Sequence, residues 1–109
     1  YALGCLSVGE SHKEMINIVE NTVKIINFNK PRYLMGVGRP VDIFESVERG
    51  VDMFDCVIPT RFGRNGRAFV KDGEINLRNA KFAKDQSPLD VNGDSIVSKE
   101  FSKAYLKFA

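Results

Sequence analysis

The chain has 109 residues, 43% of them hydrophobic, enough to bury one core and too few for a second independent domain. No run approaches the roughly 18 to 20 uninterrupted apolar residues that span a bilayer, and the first residues lack the basic start and apolar stretch of a signal peptide; a cytoplasmic protein without a membrane partner is expected. The net charge of +2 is unevenly spread: residues 1–60 carry six basic and eight acidic side chains, residues 61–84 seven and two, and residues 85–109 three and four.

In chain order, residues 2–8 (ALGCLSV) form a short apolar run closed by Gly9, which fits a buried strand. Ser11 and Glu14 have the spacing of a capping box, and Met15, Val19, Val23 and Ile26 then recur on one helical face, opposite Lys13, Glu20 and Lys24. Pro31 is expected to end that helix. Residues 33–37 (YLMGV) read as a second buried strand; Gly38 breaks it and Pro40 suits the first turn of a second helix with Ile43, Phe44 and Val47 on its buried side. Gly50 is placed to cap that helix, and residues 51–58 (VDMFDCVI) make a third strand stopped by Pro59. Asp72-Gly73 marks a two-residue hairpin between residues 67–71 and 74–77. Residues 78–97 look irregular, and from Ser98 the positions Phe101, Ala104, Tyr105 and Phe108 predict a short closing helix.

The alternation of strand and helix with short connections implies parallel strands joined by right-handed crossovers, an α/β architecture. The expected organisation is a single partial domain over 1–109, with a βαβαβ segment at 1–66 and the hairpin and remaining chain at 67–109. Three such strands leave a sheet edge bare on each side, so a larger sheet is expected around them.

Asp55 is the first candidate for chemistry. It sits near the carboxyl end of the third strand inside an apolar run, where a carboxylate needs either a purpose or a partner such as an arginine; the residues alone leave both readings open. Asp52, at the start of that strand, reads as structural. The basic block of Arg61, Arg64, Arg67, Lys71, Arg78, Lys81 and Lys84 fits either a polyanion-binding surface or a solvated basic hairpin. Cys5 and Cys56 match no CxxC or disulfide spacing and read as reduced thiols. His12, in the first turn of a surface helix, reads as solvated.

The runs GVDMFDCVIPTRFGRNGRAFV (Gly50 to Val70) and KPRYLMGVGRP (Lys30 to Pro40), with YALGCLSVGE at the start, INLRNAKFAKDQSPLD (Ile75 to Asp90) and FSKAYLKFA at the end, resemble the bacterial tRNA-guanine transglycosylase family, also called queuine tRNA-ribosyltransferase. The resemblance implies the last strands and helices of a TIM (β/α)8 barrel, plus the hairpin and short C-terminal helix, hence a partial barrel in which residues 67–109 are the hairpin and a remnant of the family's zinc subdomain. It implies exchange of the guanine at the tRNA wobble position for a 7-deazaguanine precursor of queuosine, with no nucleotide cofactor. The aspartate matching Asp55 is the nucleophile. Cys5 and Leu6 match the loop that hydrogen-bonds the base, and Met35 an apolar wall against it, although a methionine in a strand also fills core gaps. Gly36, Val37, Gly38, Arg39, Pro40, Val41 and Asp42 correspond to an RNA-contacting loop, and Thr60, Arg61, Phe62, Gly63 and Arg64 to the segment that recognises bases around the wobble nucleotide. Implied partners are the tRNA anticodon loop, the deazaguanine base and the N-terminal part of the barrel, with a homodimer as a further expectation.

The sequence departs from the family at two places. Cys5 stands where a second glycine is usual. At residues 90–99 (DVNGDSIVSK) the family's CxCxxC zinc positions are Gly93, Ser95 and Ser98, none of which replaces a thiolate, so no zinc is expected. Asp90, Asn92 and Asp94 open like a calcium loop, but Ser95 and Phe101 occupy the positions that need glycine and glutamate. The function expected is therefore a transglycosylase segment acting through Asp55. An inactive remnant or RNA-binding accessory of the same family is the alternative, and a half-barrel serving oligomer assembly a third reading that the basic block opposes.

Overall fold

The computed structural model describes residues 1–6 and 8–109; Ser7, inside the first expected strand, lies outside the described residues. Two compact units, Tyr1–Ile58 and Pro59–Ala109, divide the chain.

The first unit is a βαβαβ segment: β1 (Ala2–Leu3), α1 (His12–Val23), β2 (Tyr33–Leu34), α2 (Pro40–Glu48) and β3 (Met53–Phe54). Its strands are parallel in the order β1-β2-β3, with Ala2, Tyr33 and Met53 in one register row and Leu3, Leu34 and Phe54 in the next. The paired stretches are shorter than the apolar runs because the chain leaves the ladder early, at Cys5 (φ 59°) after β1 and at Gly36 (φ 74°) after β2. Period-two alternation divides the sheet into two faces. Leu3, Leu34 and Phe54 turn toward the helices, joining Met15, Ile16, Val19, Val23, Val37 and Val51 in the core. Tyr33, Met35, Met53 and Asp55 alternate with them onto the opposite face, where Met35 and Met53 are exposed.

The predicted capping box is present: the Ser11 amide donates to Glu14 Oε2 at 2.8 Å, and the Glu14 amide to Ser11 Oγ at 3.3 Å. The helix ends at Val23, well before Pro31, with Ile26 half-buried beyond it. Pro40 opens α2 as expected, and Gly50 (φ 97°) closes it: the Gly50 amide donates to the Val47 carbonyl at 2.9 Å and the Val51 amide to the Ser46 carbonyl at 3.1 Å, the two bonds of a Schellman ending.

The expected buried side of α2 is wrong in part. Phe44 (78% exposed) and Val47 face outward, while Ser46 is fully buried and Ile43 half-buried. The side toward α1 is ionic: His12 Nδ1 lies 2.6 Å from Asp42 Oδ1, its Nε2 3.2 Å from Glu45 Oε1, and Arg49 Nε 3.4 Å from Glu20 Oε2. His12 is thus an ion-paired link between two helices, and its hydrogen bonds to Asp42 and then Glu45 raise its pKa above the ordinary imidazole value. The stability this adds is fully present below the ordinary imidazole range and is lost as pH rises through the raised value.

Gly38 is buried in the turn before α2, and a Cβ built there would stand 2.1 Å from Cys56 Cβ. Gly38→Ala is therefore expected to lower stability by about 1–3 kcal/mol, measured as a shift of the urea midpoint. In a Cys56→Gly background the loss should shrink.

In the second unit, α3 (Ile58–Arg64) carries Pro59 in its first turn, where proline is tolerated; the expected strand stop is a helix start. Strands β4 (Arg67–Val70) and β5 (Gly73–Asn76) pair antiparallel, Val70 opposite Gly73, so the turn residues are Lys71 and Asp72, one position before the predicted pair. Phe62 packs on Phe69 with ring centroids 5.1 Å apart, and Phe62, Leu77, Phe82 and Ala104 are buried. After a 3-10 helix at Ala80–Phe82, the expected closing helix is two: α4 (Ile96–Glu100) and α5 (Lys103–Phe108), separated by Phe101 in an extended conformation. Ser102 caps α5 by accepting from the Tyr105 amide, which breaks the apolar periodicity. Of the predicted stripe only Ala104 is buried, and Tyr105 and Phe108 are exposed.

Candidate active site

In a parallel sheet the carboxyl ends of all strands open on one edge. Here that edge brings together Gly4 and Cys5 after β1, Met35 and Gly36 after β2, and Asp55 after β3. Asp55 is exposed, and the desolvation inferred from its apolar neighbours in sequence is outweighed by its hydrogen bonds. What defines it is hydrogen bonding. The Gly36 amide donates to its Oδ1 at 2.9 Å and the Tyr33 hydroxyl to the same oxygen at 2.7 Å. The positive φ of Gly36 belongs to the turn that presents its amide to Asp55.

The Gly36 amide first, and the Tyr33 hydroxyl second, hold the Asp55 carboxyl below its ordinary pKa, and the carboxylate in turn raises the Tyr33 phenol. Asp55 is thus held ionised by an amide and a phenol, and neither of these partners is an arginine. The stability this carboxylate contributes is present above the ordinary aspartate range and is lost as pH falls through its depressed value. Tyr33→Phe removes one donor and leaves the Gly36 amide, so the Asp55 carboxyl is expected to titrate closer to an ordinary aspartate. A carbon-detected NMR titration of the side chain checks this, and an unchanged midpoint would mean that the phenol does not hold the carboxylate in solution.

Tyr33 was not a candidate from the sequence: it starts β2 two residues before Met35, as Met53 starts β3 two residues before Asp55, and only the pairing of Tyr33 with Met53 brings these positions to one face. Met35 is 44% exposed, and its Sδ would lie 3.5 Å from a Cβ at Gly4; it is not a core residue. Cys5 is exposed in a left-handed backbone conformation, whereas Leu6 is half-buried against the core. Asp52 accepts the Arg32 amide at 2.8 Å, and Arg32, buried, donates to the Gly50 carbonyl and stacks on Phe28, a structural set.

Gly36, Val37, Gly38 and Arg39 form the β2–α2 connection, while Pro40, Val41 and Asp42 are the first turn of α2. Arg39 is exposed; Val37 and Gly38 are buried, and Asp42 is engaged by His12. Residues 60–64 lie on α3 and not on a loop. Arg61 and Arg64, at i and i+3, are exposed in its last turn, and Phe62 points into the core of the second unit. Arg67, counted from sequence with the basic block, is ion-paired with Glu74 on the adjacent strand and lies over the Phe62 ring at 4.3 Å.

Comparisons with known proteins agree over almost the whole chain. The family model described as queuine tRNA-ribosyltransferase matches residues 1–108. Curated proteins of that name from Caulobacter vibrioides, Blochmanniella pennsylvanica and Haemophilus ducreyi are 53%, 57% and 54% identical over 98%, 97% and 97% of this chain. The matched segment is 29%, 29% and 28% of those relatives, so the chain spans less than a third of their length.

Proposed function

The chain belongs to the queuine tRNA-ribosyltransferase family, and from that membership we propose that it carries the nucleophile and part of the RNA-reading surface of a tRNA-guanine transglycosylase. The observation that carries the proposal is the Asp55 carboxylate, held ionised at the carboxyl end of β3 by the Gly36 amide and the Tyr33 hydroxyl.

Both donors engage Oδ1, which fixes the orientation of the carboxylate and leaves Oδ2 to attack. Asp55 would attack the ribose anomeric carbon of the wobble nucleotide as guanine leaves. The incoming 7-deazaguanine would then displace the carboxylate from the opposite face, two inversions giving net retention. A carboxylate suits this task because it stabilises an oxocarbenium-like centre and forms a cleavable glycosyl ester. A lowered pKa keeps it charged at neutral pH, as a nucleophile requires. Met35 and the backbone around Cys5 would flank the base, with Arg39, Arg61 and Arg64 facing RNA.

The sheet ends in β1 on one side and β3 on the other. The remaining strands of a TIM barrel would complete the pocket, including its general base and the side chains that read the guanine edge. The test is incorporation of labelled guanine into tRNA by the chain supplied with an N-terminal barrel segment, with an intact relative in parallel. Incorporation supports the reading, and none, with the relative active, defeats it. One observation favours the second reading, an RNA-binding accessory without catalysis: Cys5 places a side chain in the base loop. That reading predicts tRNA binding without exchange under any complementation.

A further inference from the structure

The zinc centre that the resemblance implies does not fit the residues present. Gly93 offers no donor, and Ser95 and Ser98 offer neutral hydroxyls where zinc takes thiolate, imidazole or carboxylate. Among the described residues no group of three or more His, Cys, Asp or Glu side chains is placed to hold a metal ion.

The three positions do converge, and each hydroxyl there is already used. The Ser98 amide donates to Ser95 Oγ at 3.0 Å, the two hydroxyl oxygens are 2.8 Å apart, and Ser98 Oγ donates to the Ser95 carbonyl at 2.8 Å. The protons can be assigned in one direction only: with Ser98 Oγ donating to the carbonyl, Ser95 Oγ must donate to Ser98 Oγ while accepting from the Ser98 amide. The result is a closed ring in which every donor has an acceptor. Gly93 leaves the room for it, since a Cβ at that position would fall 2.6 Å from Ser98 Oγ and 2.8 Å from its Cβ. Ser98 is only 6% exposed, so its hydroxyl depends on these protein partners.

Below this apex the chain is zipped by its own backbone. The Asp90 amide donates to the Ser98 carbonyl at 3.1 Å, Leu89 to Phe101 at 3.2 Å, Lys103 to Ser87 at 2.9 Å and Ala104 to Asp85 at 2.8 Å. The Asp90 carboxylate accepts the Asn92 amide at 2.9 Å and the Lys71 amide at 2.7 Å, tying the segment to the turn between β4 and β5.

We infer that residues 85–104 form a metal-independent closure in which the Ser95–Ser98 hydroxyl ring, packed on Gly93, and the Asp90 carboxylate do the holding that a zinc ion would do, so that this segment neither binds nor needs zinc. The test uses the full chain purified from zinc-supplemented culture. Metal analysis is expected to find far less than one zinc per chain, and the Tm is expected to be the same with and without EDTA. Ser98→Ala should lower the Tm by a few degrees. Ser95→Ala, which breaks the ring at an exposed residue, should speed hydrogen exchange at the Ser98 and Asp90 amides. Zinc near one per chain, a Tm that falls on chelation, or unchanged exchange in Ser95→Ala would each overturn the inference.

Discussion

Asp55→Asn is expected to abolish base exchange, lowering the rate by on the order of 10⁴-fold or more, the scale on which loss of a covalent nucleophile acts, while leaving the fold and tRNA affinity in place. The amide is the same size, and its oxygen can still accept from the Gly36 amide and the Tyr33 hydroxyl that meet at Oδ1. What it lacks is the negative charge. A neutral amide neither stabilises a developing oxocarbenium centre nor forms a glycosyl ester that a second base can displace. A 10⁴-fold loss corresponds to about 5.5 kcal/mol of barrier, far more than either hydrogen bond to Asp55 would account for. The prediction is checked by labelled-guanine incorporation in the complemented chain, and by the enzyme–tRNA adduct on a denaturing gel, which should vanish in the variant. An Asp55→Asn variant that still exchanges base at a rate near the unaltered one would remove Asp55 from the nucleophile's role. The pH dependence follows from the same contacts: because the Asp55 carboxyl titrates below the ordinary aspartate range, activity limited by its ionisation should persist into acid and fall only beneath that range.

How much of this was legible in the sequence depended on whether the signal was local. The Ser11–Glu14 capping box, Pro40 at the start of α2 and Gly50 after its end are each specified by backbone groups within a few residues, and each appears where the sequence put it. Periodicity was less informative, because it says which residues share a helical face and not whether anything covers that face. On α2 the small Ser46 faces inward and Phe44 outward, a choice made by packing and not by hydropathy. At the C-terminus the spacing of Phe101, Tyr105 and Phe108 suggested one helix, but Ser102 caps a new one after Phe101, a local signal that outweighed the apolar pattern. The site shows the same division. Asp55 was identifiable from a family motif, whereas Tyr33 becomes visible only once β2 and β3 are in register, since nothing in its own neighbourhood distinguishes it from a core tyrosine.

The paired change Arg61→Ala, Arg64→Ala is expected to weaken tRNA binding by at least about 2 kcal/mol, roughly 30-fold, and to reduce the slope of log affinity against log salt by about 1 for each arginine that meets a phosphate. Both side chains are exposed in the last turn of α3, where a cation is favoured by the helix dipole by only about 0.3–1 kcal/mol, so their removal should cost the fold little. Arg67→Ala supplies the contrast, since it deletes the same charge from the same basic block. Arg67, however, pairs with Glu74 and stacks on Phe62, which is itself packed on Phe69, so its loss should lower the unfolding midpoint and leave the salt slope nearly unchanged. Total charge alone predicts that the arginines are interchangeable; placement on α3 and β4 predicts that they separate into binding and folding roles. Salt titrations of tRNA binding alongside urea unfolding of both variants distinguish the two. If Arg67→Ala changes the salt slope as much as the α3 arginines do, the basic block acts as a diffuse field and α3 is no RNA-reading element.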